Sequence, residues 1–140
     1  MYKNPARWEF IQRAVELSKV PIIGNGDIWQ TSDIKKMIDE TGCHGVMVAR
    51  GALRSPWMAK DFKAGEFNLK KEERVDRLKT FMFEYRAILE SEKITERGLL
   101  KQSKSVTRFI ADGIEGFEGI RRQLVLCQSV SDFYSIIEEL

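Results

Sequence analysis

The chain has 140 residues, 43% hydrophobic and 31% charged, with a net charge of +2, the balance of a soluble globular protein with room for one ordinary domain or two small ones. No apolar run approaches the roughly 18 residues that suggest a membrane span, and Met1-Tyr2-Lys3-Asn4-Pro5 lacks the apolar core of a secretory signal. Cys43 and Cys127 lie far apart and match no metal or redox spacing, which fits a reduced, cytoplasmic setting.

The first part reads as two β/α units. Asn4 is placed to cap a helix with Pro5 at its first position, where a missing N–H costs nothing. Trp8, Phe10, Ile11, Ala14, Val15 and Leu17 then recur at helical spacing. Val20-Pro21-Ile22-Ile23 is a short apolar run ending at Gly24, the pattern of a buried parallel strand. Thr31 or Ser32 is placed to cap the next helix, whose apolar face is Ile34, Met37 and Ile38, and Gly42 ends it. Gly45-Val46-Met47-Val48-Ala49 is the second buried strand. Helix–strand–helix–strand in about 50 residues predicts a parallel crossover.

After Pro56 no β-like run appears. Val75, Leu78, Phe81, Met82, Tyr85 and Leu89 form a helical stripe over residues 71–91, and a second helix is expected over 99–111. Gly113, Gly116 and Gly119 break the chain. Ser129 or Ser131 caps a last helix carrying Phe133, Ile136, Ile137 and Leu140. The expected division is a β/α part over 1–58 and an all-helical domain over 59–140.

Three constellations carry chemistry. Gly24-Asn25-Gly26-Asp27-Ile28 follows the first strand, and Ala49-Arg50-Gly51-Ala52 follows the second. Glycines there let peptide N–H groups approach a ligand, and a following helix start adds positive potential. Arg50 supplies a fork matching phosphate oxygens. In (β/α)₈ barrels phosphate commonly sits between the loops after strands seven and eight. The same spacing also serves an ordinary Gly-rich turn in which Asp27 bonds only its own loop, and spacing alone leaves both readings open. The third constellation is a basic face. At about 100° per residue, Arg97, Lys101, Lys104 and Arg108 fall within roughly 60°, with Leu99, Val106, Phe109 and Ile110 opposite. Such a row suits a phosphodiester backbone, or is a solvated face whose acids come from a neighbouring helix. His44, Cys43 and the tryptophans at 8, 29 and 57 read as loop or packing residues.

Ala6-Arg7-Trp8, Val20 to Ile28, Thr41 to Leu53 and Pro56-Trp57 resemble, in order, the end of the barrel in tRNA-dihydrouridine synthases. The match is close over residues 2–58. The helical part is matched more loosely, through the Lys101–Gly119 stretch and Arg121-Arg122. Phe109 stands where a histidine is usual, and Asp112-Gly113 where aromatic residues are usual. The resemblance implies an α/β fold, the last two strands of a (β/α)₈ barrel followed by a helical tRNA-binding bundle. It implies FMN, its phosphate held by Asn25, Gly26, Asp27, Ala49 and Arg50, with Ala49 replacing the more usual glycine, and NADPH as reductant. It implies tRNA as partner, bound through Arg97, Lys101, Lys104 and Arg108, and a uridine turned out of its stack to be reduced.

The family's catalytic cysteine and its flavin-contacting lysine and histidine belong to earlier parts of the barrel, and neither Cys43 nor Cys127 matches the catalytic position. A full barrel takes about 250 residues. The chain is therefore expected to be a fragment, inactive alone, whose site needs the preceding barrel portion or a second copy to cover its strand edges. The alternatives are a non-enzymatic helical tRNA-binding module and a piece of another FMN- or phosphate-binding barrel oxidoreductase.

Overall fold

A computed structural model describes residues 4–140. The chain divides into two compact units, one ending at Asn68 and the other spanning Leu69–Leu140.

The first unit contains α1 (Glu9–Leu17), β1 (Ile23–Asn25), α2 (Thr31–Thr41), β2 (Gly45–Met47), α3 (Arg50–Arg54) and α4 (Met58–Ala64). The strands pair in parallel, Gly24 opposite Val46, as the predicted crossover requires. Ile28, Ile34, Met37, Cys43 and Met58 form the core, flanked by Trp8, Ile11, Val15, Ile22, Val46, Val48 and Phe62. Gly24 is a packing glycine, since a Cβ there would fall 2.6 Å from Met37 Sδ. α4 packs on α2, so the break between the units falls at 68/69, ten residues beyond the expected 58/59 boundary.

Several local expectations are corrected. α1 begins at Glu9, not beside Asn4 and Pro5, because residues just before it are drawn across the end of β1. Ala6 N–H donates to Asp27 Oδ2 at 2.7 Å and Trp8 Nε1–H to the Gly26 carbonyl at 2.9 Å. Thr31 is the first helical residue of α2, and the cap is Gln30 with Asp33, whose carboxylate accepts the Trp29 and Gln30 peptide N–H groups. Gly42 closes α2 in the left-handed conformation, φ +68°. The strands are three residues each and are covered on one face only. Gly24 is buried, whereas Ile23 is 61% exposed and Met47 47% exposed, so the expected burial on both faces does not hold.

The second unit is all helical: α5 (Lys71–Ser91), α6 (Glu96–Ala111), α7 (Glu118–Leu126) and α8 (Val130–Glu139). α6 touches the other three. Thr95 caps α6 and Ser129 caps α8, each hydroxyl accepting a peptide N–H three residues on. Gly119 lies inside α7, a helix the glycine spacing concealed. The core comprises Leu78, Met82, Leu89, Leu99, Ile110, Phe117, Leu124, Phe133 and Ile137. The chain is thus a mostly helical α/β protein with two parallel strands.

Candidate functional site

The C-terminal ends of β1 and β2 lie side by side, because register places Asn25 opposite Met47. The loops that follow line a cleft of about 370 Å³ with Asn4, Ala6, Asn25, Gly26, Asp27, Ile28, Trp29, Met47, Ala49 and Arg50. All five residues singled out after the strands are brought together here.

Backbone geometry dictates the cleft. Gly26 has φ +140°, and a Cβ on it would fall 2.5 Å from the Ala6 Cβ, so only glycine admits the strap of residues 4–8. Asp27 also has positive φ, +49°, a conformation its short polar side chain tolerates. A Cβ on Gly51 would meet the Ile28 carbonyl oxygen at 2.1 Å, so glycine lets α3 start against the β1–α2 loop and brings Arg50 beside Asp27.

Both Asp27 carboxylate oxygens are engaged by the fold. Oδ2 accepts the Ala6 N–H, and Oδ1 accepts Arg50 Nη2–H at 3.1 Å. The carboxylate orders the strap and aims Arg50. Most of the five guanidinium N–H donors remain. Arg50 also lies over the Trp29 ring, its Cζ 4.5 Å from the centroid, with Arg54 Cζ 4.7 Å from the same ring. Asn25 makes only a long contact from Nδ2 to Met47 Sδ, 3.5 Å. The first peptide N–H groups of α3 have no carbonyl partner within the helix. This donor set, one fork and one amide beside the peptide N–H groups at the start of α3, with the Asp27 carboxylate already paired, fits a phosphate group.

The basic face of α6 is partly rearranged. Arg97, Lys101 and Arg108 are exposed, and among the described residues no acid pairs with them. Lys104 is half-buried and donates to the Cys127 carbonyl at the end of α7, a position where a cation also meets the helix dipole. The reason lies in the buried arc. It runs through Leu99, Ser103, Thr107, Ile110 and Ala111, rotated by roughly 70° from the arc that the apolar residues alone suggest. Ser103 Oγ meets Tyr134 OH at 2.9 Å, Thr107 Oγ1 meets Met82 Sδ at 3.1 Å, and Tyr134 OH donates to the Met82 carbonyl. Phe109, expected on the packing side, is 40% exposed with Arg108 beside its ring.

Neither cysteine has the setting of an activated thiol. Cys43 is buried, and burial pushes the Cys127 thiol up, opposite to the shift of a nucleophile. His44 is exposed and lines no part of the cleft. Trp29 and the Asn4–Ala6 strap were not legible as site residues. Their only signal was proximity to the glycine turn in space, which spacing does not encode.

No helix among the described residues is long and apolar enough to cross a membrane. A family model described as dihydrouridine synthase matches residues 1–138. A probable tRNA-dihydrouridine synthase of Aquifex aeolicus is 33% identical over 99% of this chain, which spans 42% of that protein. A tRNA-dihydrouridine(16) synthase of Shewanella oneidensis is 42% identical over 46% of this chain and 20% of its own length. A tRNA-dihydrouridine(47) synthase [NAD(P)(+)] of Cryptococcus neoformans is 37% identical over 57% of this chain and 13% of its own length. The resemblance carried by the strand-end motifs thus holds across almost the whole sequence, and the chain belongs to the dihydrouridine synthase family.

Proposed function

We propose that the chain is the C-terminal part of an FMN-dependent tRNA-dihydrouridine synthase, its first unit supplying the last two strands of a (β/α)₈ barrel and its second unit binding tRNA. The observation that carries the reading is the cleft at the paired strand ends, where Asn25, Gly26, Asp27, Ala49 and Arg50 converge. That is where such barrels bind phosphate. The exposed outer positions Ile23, Asn25 and Met47 lie on the face that would look into the barrel.

In this reading Arg50 and the peptide N–H groups after β2 grip phosphate oxygens, with Asn25 donating from β1. Asp27 does not touch the anion through its carboxylate, which like charge would oppose. It holds Arg50 in line and pins the 4–8 strap. α3 has five residues, so its dipole adds little and the charge of Arg50 carries the binding. FMN bound there supplies hydride transfer to the uracil ring, with NADPH as its reductant. No residue of this chain is assigned the acid, because no cysteine lines the cleft. The purified chain given FMN, NADPH and tRNA is expected to form no dihydrouridine, and robust formation would contradict its incompleteness.

A second reading, a tRNA-binding module without catalysis of its own, is favoured by the exposed Arg97, Lys101 and Arg108, which no described acid neutralises. Each cation that meets a phosphate releases counterions, so binding falls with salt. Charge reversal at Arg97, Lys101 and Arg108 is expected to weaken tRNA binding at least about tenfold at moderate salt and to reduce the slope of log affinity against log salt by about 3. Unchanged binding would reject this face as the contact. The Lys104→Glu variant tests a different thing, the α6–α7 junction, and is expected to lower the melting temperature first.

A further inference from the structure

We infer that Trp29 is a positioning residue for Arg50, and that its ring sets the preference of the cleft for a phosphorylated over an unphosphorylated ligand. The inference rests on the phosphate reading of the cleft. Its basis is how Arg50 is held. A guanidinium on a flexible stem that is 46% exposed would ordinarily sample many rotamers. Here it is fixed from two directions. Asp27 Oδ1 takes one N–H at 3.1 Å, and the guanidinium carbon lies over the Trp29 indole, 4.5 Å from its centroid. Indole is the ring that attracts cations most strongly, and a fork stacked on a ring keeps its N–H edges free for oxygens.

Arg54, one turn along α3, lies against the same ring at 4.7 Å. The indole therefore draws a second positive charge to the edge of the cleft that Trp29 and Arg50 line, and its apolar surface keeps water off one side of Arg50. Both effects strengthen attraction for a dianion and do little for a neutral hydroxyl. The ring is separable from the local fold. The Trp29 peptide N–H caps α2 through Asp33 Oδ2 at 2.9 Å, a bond that any residue at position 29 retains except proline. A purely packing role would make the ring matter for stability and not for ligand choice.

The test uses the whole chain with Trp29→Phe and Trp29→Leu. FMN and riboflavin, which differ by the phosphate, are titrated separately by flavin fluorescence, and the ratio of their dissociation constants is read. The wild-type chain is expected to prefer FMN. Trp29→Leu is expected to lower that ratio about fivefold, and Trp29→Phe to keep it within about twofold. In the ligand-free wild-type chain, NMR should find the Arg50 side-chain protons shifted upfield by the ring, a signature absent in Trp29→Leu. If wild type binds both flavins equally, or neither, the phosphate reading fails and this inference with it. If wild type prefers FMN and Trp29→Leu keeps the ratio, the inference alone is overturned. Should the Leu variant not fold, unshifted Arg50 protons in wild type would overturn it as well.

Discussion

Residues 69–140 and the residues before them solve the same burial problem to different degrees. In the helical unit, α6 is surrounded by three helices, and Leu78, Met82, Phe133 and Ile137 are fully buried. In the β/α unit, α2 packs on the two-stranded sheet with α1 and α4 against it, while Phe10, Leu17, Val20, Ile23 and Met47 remain exposed. Two three-residue strands with open outer edges are too little sheet to stand alone. The difference teaches that the helical unit encloses its core, whereas the β/α unit packs its core against one face of the sheet and leaves the other face open. Under the proposed function this separates the roles as well: the helical body would meet the polyanion, and the open strand ends would hold the cofactor's phosphate.

Truncating the helical core should give the largest effect. Phe133→Ala is expected to cost about 3–5 kcal/mol, through lost burial and a cavity among Leu78-like neighbours that cannot collapse fully. Ile23→Thr, which removes an equally apolar but exposed side chain, should change stability by no more than about 0.5 kcal/mol. Thermal melts of the two variants sharpen the contrast, and a large loss at Ile23 would erase it. Gly26→Ala comes next. It must adopt φ near +140° and push Ala6 away, at a cost of about 2 kcal/mol. Loss of the Trp8–Gly26 and Ala6–Asp27 bonds should accompany it, seen as faster amide exchange at Ala6.

The smallest effect is one of pH. Burial raises the Tyr134 hydroxyl above its ordinary value of 10.0, outweighing the Ser103 hydrogen bond and Arg86, which lower it. The folded helical unit therefore holds the proton more tightly than the unfolded chain. That contribution is complete below about pH 10 and is lost as pH rises through the folded value. The melting temperature should fall over that range in wild type, and Tyr134→Phe should flatten the fall while lowering stability at neutral pH. A wild-type curve that stays level there would mean the hydroxyl is not held as its contacts with Ser103 and Met82 require.

The legible parts of this molecule were those that local chemistry encodes. The stripe from Val75 to Leu89 marks α5 to the residue, Gly42 ends α2 through its left-handed φ, and the paired Gly-rich turns mark the strand ends. What was hidden depends on distant partners. Asn4 and Pro5 look like a helix start, but Asp27, more than twenty residues on, takes the Ala6 N–H and holds the strap extended. Ser103 and Thr107 carry no apolar signal, yet Tyr134 and Met82 hold them inward and rotate the buried face of α6, which draws in Lys104 and leaves Phe109 out. Trp29 looks like a packing anchor until α3 folds Arg50 and Arg54 over it.

The central claim is that the two strand ends form a phosphate site for a flavin, and the phosphorus resonance of FMN titrated with the purified chain tests it most directly, because the phosphate is the part of FMN that this cleft is proposed to hold. A saturable shift of that resonance with wild type, lost with Arg50→Ala while the helical signal in circular dichroism is unchanged, is the predicted result. A resonance identical to that of free FMN at saturating chain, or one equally perturbed by Arg50→Ala, would contradict it.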